Sequence, residues 1–227
     1  MAFPKIKIYL LPGQGSDRRI FDALKIDPPY ETKIIEYGTP GKDDTMESFA
    51  LKLSRQIDTS QAFILIGVSL GGMICVELNE ILNASKTIII SSAKNKTELP
   101  FRYKFQHRLP LYKLFSGEIL LAGAKILQPI VEPDRNKNKE TFKSMLAAKD
   151  AQYMKRAIGL IINWNRKRNT KPLFHIHGSN DHTIPIINIK SPVYVVDKGS
   201  HMMTLTRAPE ISNLINKILE STAIVSG

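Results

Sequence analysis

Hydrophobic positions in this chain come as short unbroken apolar runs separated by stretches of helical spacing. Lys5 to Leu11 alternates Lys with Ile and Tyr, then turns fully apolar. It predicts a strand ending in the glycine-rich loop Leu11-Pro12-Gly13-Gln14-Gly15-Ser16-Asp17. Asp17 to Leu24 predicts a short helix with Ile20, Phe21 and Leu24 on one face, and Thr32 to Tyr37 a second strand. Thr45 to Ile57 sets Met46, Phe49, Leu53 and Ile57 at helical spacing, with Asp44 or Thr45 as its cap. Ala62 to Val68 is the pattern of a strand buried on both faces, and Met73 to about Leu82 continues as a helix. Lys86 to Ser92 is another buried strand. Strand and helix in alternation imply parallel crossovers and a doubly wound α/β sheet.

The rhythm breaks after Ala93. Pro100 to Asn165 shows no convincing strand; its best helical stretches are Leu111 to Leu127, Glu140 to Ala148 and Ala151 to Trp164. Strands resume at Lys171 to Gly178 and Pro192 to Val196, about six in all. An amphipathic helix, Pro209 to Leu219, turns Ile211, Leu214, Ile215 and Ile218 inward. The middle therefore reads as an insertion, residues 96–165, in a core formed by 1–95 and 166–227.

Composition narrows the class. The 227 residues, 43% hydrophobic and 23% charged, suit one globular α/β domain. No run reaches the length of a membrane span, and Met1 to Lys5 does not open a secretory signal. The single cysteine, Cys75, excludes an internal disulfide framework, fits a reducing, cytoplasmic compartment, and sits on an apolar helix as a packing residue.

The chemistry centres on Gly67-Val68-Ser69-Leu70-Gly71, a Gly-x-Ser-x-Gly turn between strand and helix. Alone, such a pattern is as readily a capped helix start. In its strand-before, helix-after context it is a nucleophile elbow that lifts a serine hydroxyl above the sheet. A serine nucleophile needs a base, and the base an orienting carboxylate. Of five histidines, His201 follows the last strand in Gly199-Ser200-His201, at the edge where ligands collect on parallel sheets. Asp181 ends the preceding strand in Gly178-Ser179-Asn180-Asp181; the rival, Asp197, is too near the strand end to orient the imidazole well. His175, His177 and His182 raise a metal site, but no Cys or carboxylate cluster completes it, so they read as packing histidines.

Ser69, Asp181 and His201, with the Pro12-Gly13-Gln14-Gly15 loop, resemble the α/β-hydrolase superfamily across essentially the whole chain. The early loop has Pro12 where many members have His, Glu36-Tyr37-Gly38 replaces an Asp-Gly pattern, and the usual first antiparallel strands are not expected. The resemblance implies acyl transfer to Ser69 followed by hydrolysis, and backbone N–H groups of Gln14 and Leu70 as the oxyanion hole. It also implies no metal or organic cofactor, and a helical cap at 96–165. The expected substrate is an ester or thioester of a small or medium acyl group. A silent binding protein, or a lyase or acyltransferase on the same residues, are the alternatives.

Charge adds one asymmetry. From Leu99 to Lys171 there are 16 Lys or Arg against 5 Asp or Glu, so 16 − 5 = +11, the whole excess of the chain. A merely solvated face mixes both signs. The expectation is a cap that steers an anionic substrate or an acidic carrier protein, through residues such as Lys137, Lys139 and Lys143. No nucleic-acid module is present, although Arg166-Lys167-Arg168 has the charge to touch phosphates.

Overall fold

The apolar runs form six strands: β1 (Lys7–Leu11), β2 (Glu31–Ile34), β3 (Phe63–Val68), β4 (Lys86–Ile90), β5 (Phe174–Gly178) and β6 (Tyr194–Val196). They lie in the order β2-β1-β3-β4-β5-β6, and every pairing is parallel. The structure, a computed structural model, describes residues 6–134 and 138–221; Lys137 and the Lys5 end of the first expected strand lie outside them. Alternate side chains of each strand feed two separate cores. Tyr9, Leu11 and Leu65 face one, Ile8, Leu10, Ile64 and Ile66 the other. Both faces of the central strands are covered, whereas the edge strands β2 and β6 are largely exposed.

Helices α1 (Met46–Ser54) and α2 (Leu70–Leu82) pack on the first core. Thr45, not Asp44, caps α1: Thr45 Oγ1 accepts the Ser48 N–H at 3.1 Å and Ser48 Oγ accepts the Thr45 N–H at 3.0 Å. Four helices then follow between β4 and β5: α3 (Phe101–Arg108), α4 (Gly117–Val131), α5 (Lys139–Ala147) and α6 (Ala151–Asn163). After β6 come α7 (Met203–Thr206) and α8 (Ala208–Glu220), which buries Ile211, Ile215 and Ile218 on the second core.

Three expectations change. The single helix expected over Leu111–Leu127 is broken into a 3-10 turn, Leu111–Leu114, and α4. The break sits beside Gly117, where an added Cβ would run into the Ala151 carbonyl, so the chain must turn to bring α4 against α6. The stretch Asp17 to Leu24 shortens to a 3-10 turn at Arg18–Phe21, and β2 stops at Ile34. Helix α3 was invisible to periodicity because it buries no residue and so has no apolar stripe.

The insertion is tied to the sheet where it returns. Glu77 of α2, 1% exposed, accepts hydrogen bonds from Trp164 Nε1 at 2.7 Å and from Arg166 Nε and Nη2 at 2.6 Å each. Arg166 also pairs with Glu80, so its charge is spent internally and not offered to phosphates. Removing one partner of such a pair strands a buried charge at a cost of about 3 kcal/mol. Arg166→Ala is therefore expected to lower the melting temperature by roughly 6–12 °C in a domain of this size. Thermal unfolding followed by far-UV circular dichroism checks it; an unchanged midpoint would show that the tether is dispensable.

Candidate active site

Chain geometry at the end of β3 is forced by close packing. Ser69 adopts φ 54°, ψ −118°, a region side chains avoid. It is held there by its N–H donating to the Ile90 carbonyl at 2.9 Å and by Ser92 Oγ donating to its carbonyl at 2.7 Å. Glycine is required on both sides. A Cβ on Gly67 would strike the backbone of Gly71, and one on Gly71 the carbonyl of Leu11 at the end of β1. The turn therefore fits only because α2 lies almost on the strands. Leu70 is the first residue of α2, so its N–H has no acceptor within the helix.

Two loops from neighbouring strand ends complete the group. His201 Nε2 lies 2.9 Å from Ser69 Oγ, and His201 Nδ1 lies 2.8 Å from Asp181 Oδ2. Asp181 follows β5, and its other oxygen accepts the N–H groups of Thr183 and Ile184 at 2.8 Å each. Burial disfavours the charge on Asp181, but His201 and His177 and these N–H donors outweigh it and hold the carboxyl below the usual range. Burial likewise opposes a charged His201; the Asp181 carboxylate, with help from Glu132, reverses this and raises its pKa. The rival Asp197 is exposed and faces Ser179 Oγ at 3.4 Å. The early loop lies against the elbow, since a Cβ on Gly13 would come within 3.2 Å of Ser69 Cβ, and Gln14 follows directly. The five expected residues, Gln14, Ser69, Leu70, Asp181 and His201, thus come together at one edge of the sheet.

Comparison with solved structures matches the fold over nearly the full chain. MenH from S. aureus superposes with a TM-score of 0.70 at 13% identity, covering 96% of this chain and 95% of its own. The enol-lactonase from Burkholderia xenovorans gives 0.70 at 14%, covering 96% and 93%. ClbQ from the colibactin NRPS/PKS pathway gives 0.65 at 14%, covering 98% and 100%. The chain has the α/β-hydrolase fold. No family model and no curated protein matches its sequence, so the likeness is one of structure.

Two of the remaining histidines, His175 and His177, are buried on β5. His175 Nε2 and His177 Nδ1 are 3.0 Å apart, and His177 Nε2 is 2.8 Å from the Ile184 carbonyl. Burial lowers the pKa of both, that of His175 strongly, which suits neutral rings passing one hydrogen bond along. His182 is exposed and meets Asn180 at 2.9 Å. Among the described residues no three His, Cys, Asp or Glu side chains are grouped to hold a metal. Cys75 is fully buried, and burial pushes its thiol far up.

Above Ser69 and His201 opens a cavity of about 790 Å³. Met73, Phe105, Phe142, Leu146, Ile158 and Ile184 give it a mainly apolar wall. One acidic residue of its lining escaped the sequence reading. Glu132, just beyond α4 and 3% exposed, accepts the Met202 N–H at 3.0 Å on one oxygen. Burial raises its pKa, opposed by Ser200 and His201. No local motif marks it, because the path of the insertion brings it to the histidine loop.

His201 must be neutral to take a proton from Ser69. Labelling of Ser69 by a fluorophosphonate is therefore expected to rise with pH through a midpoint above the ordinary histidine value of 6.5. Glu132→Gln keeps an acceptor for Met202 but removes negative charge beside His201, so the midpoint is expected to move down. Labelling rates across a pH series, read by intact mass, check both shifts.

Proposed function

We propose that this protein is a serine hydrolase that cleaves a carboxylic ester or thioester through an acyl-Ser69 intermediate. The observation carrying the proposal is the continuous relay from Ser69 Oγ through His201 to Asp181, at 2.9 and 2.8 Å. In this scheme Ser69 Oγ attacks the acyl carbon while His201 Nε2 takes its proton. The carbonyl oxygen becomes an oxyanion, met by the N–H groups of Leu70 and Gln14, each such donor being worth on the order of 3 kcal/mol. His201 returns the proton to the leaving group, then activates water to release the acid. Asp181 keeps the imidazole in the tautomer with Nδ1 protonated and stabilises its cation. The scheme calls for no metal or organic cofactor.

The cavity favours a larger acyl group than a small ester. Its volume, about 790 Å³, lies in the upper part of the range for small-molecule sites, and its wall is apolar. We read residues 96–165 as a cap over a core of 1–95 and 166–227, because α3, α4, α5 and α6 all contribute to that wall. The positive charge of the cap supports an anionic substrate, of which an acyl group on an acidic carrier protein is one form. The origin of ClbQ in an NRPS/PKS pathway is in keeping with that. The single cysteine, buried and unpaired, suits a reducing, cytoplasmic compartment, and among the described residues no helix is long and apolar enough to cross a membrane.

Stoichiometric fluorophosphonate labelling is expected for the wild type, abolished in Ser69→Ala and strongly slowed in His201→Ala. Asp181→Asn is expected to reduce turnover by up to about four orders of magnitude. Across a p-nitrophenyl ester series, kcat/KM should climb with chain length, by up to about fourfold per buried methylene. A folded wild type that takes no label, or a series that declines beyond acetate, would overturn the reading.

A further inference from the structure

Of the 13 large apolar side chains exposed among the described residues, 8 fall between Phe101 and Leu127. They crowd onto α3, the turn after it and α4. Phe101, Leu114 and Ile126 are 75%, 79% and 73% exposed. Five of the eight, Phe101, Phe105, Phe115, Ile119 and Leu127, also line the cavity above Ser69. The exposed apolar surface is thus the rim of that cavity. A patch of this kind on a soluble chain marks a binding surface.

Its charge narrows the occupant. Between Phe101 and Leu127 the exposed charged residues are Arg102, Lys104, Arg108, Lys113 and Lys125 against Glu118, so 5 − 1 = +4. A second copy of the chain would bring the same patch against itself and set these cations face to face. An acidic protein met by charge alone leaves the exposed Phe, Leu and Ile without a partner. Apolar side chains fringed by Lys and Arg match a surface that is anionic outside and hydrocarbon within.

We infer that this collar seats the protein on an anionic lipid surface, so that an acyl chain passes from the lipid into the cavity without crossing water. Passage into the cavity rests on the acyl-ester reading above; docking does not. Helix α3 suits the role because none of its side chains is fully buried, Tyr103 alone packing partly against the core. It is fastened instead by Arg102 to the Thr183 carbonyl, Lys104 to the Thr97 carbonyl and His107 to the Ile162 carbonyl. The fold is therefore complete without burying the collar.

The test is co-sedimentation of the full chain with phosphatidylglycerol-rich vesicles and with phosphatidylcholine vesicles, at low and high salt. The wild type is expected to pellet with the anionic vesicles at low salt only. Lys113→Glu with Lys125→Glu is expected to weaken this by about 30-fold or more, from a loss of roughly a factor of five per basic residue. Leu114→Ser with Ile126→Ser should weaken it comparably, and Ile187→Ser, 90% exposed but outside the collar, should leave it unchanged. None of these residues lines the cavity, so labelling by a soluble fluorophosphonate should stay at the wild-type rate. Absent binding to anionic vesicles, or binding that survives both collar variants, overturns the proposal. So does a dimer in sedimentation equilibrium that the Leu114→Ser, Ile126→Ser variant dissolves, or saturable capture of an acidic carrier protein with no vesicle binding. Failed labelling of the wild type would instead sink the hydrolase reading and leave the docking result standing.

Discussion

The backbone of Ser69, held at a positive φ, is the constraint on which the rest of the site depends. A residue with a side chain resists that conformation by roughly 1–3 kcal/mol, so the surroundings must impose it. They do so through contact. With no side chain on Gly67 or Gly71, α2 closes onto β1 and β3 until its first turn touches the carbonyl of Leu11. The same closeness aims the N-terminus of α2 at the serine hydroxyl and presses the Gly13 loop against it. Stored strain, helix end and loop are one packing solution seen from three sides.

Electrostatics at the site are set by a buried histidine between unequal neighbours. Asp181 is fixed by three partners and stays ionised. Glu132 accepts the Met202 N–H, is pushed toward its neutral form by burial, and comes from a different layer of the molecule. Arg102 of α3 acts on His201 in the opposite sense, and His177 lies on the far side of Asp181. Two of these influences belong to the sheet and two to the inserted helices. Basicity of His201 is accordingly a joint property of both.

The central strands β3 and β4 were legible because they are buried on both faces and appear as largely apolar runs, whereas the edge strand β2 is polar and mostly exposed. The site was legible because strand ends are visible, and Ser69, Asp181 and His201 each follow one. What escaped depends on contacts distant in sequence. The expected helix over Leu111–Leu127 breaks before Gly117, which begins α4 with Ala151 against it; Glu132 matters only because the chain beyond α4 delivers it to Met202. Helix α3 has no stripe to read, and Arg166 looked like part of a basic cluster until Glu77 was found beneath it. Charge along a chain reports the sign of a residue and not whether a partner has already claimed it.

The tether of Trp164 and Arg166 to Glu77 has an evolutionary consequence. The inserted segment is locked where it rejoins the core, while α3, in its leading portion, has no fully buried side chain. Substitutions there can reshape the mouth of the cavity at little risk to folding, whereas substitutions near Arg166 disturb the helix that bears Ser69. The mouth of the cavity and the helix that bears Ser69 thus rest on different contacts, so a change in one need not disturb the other.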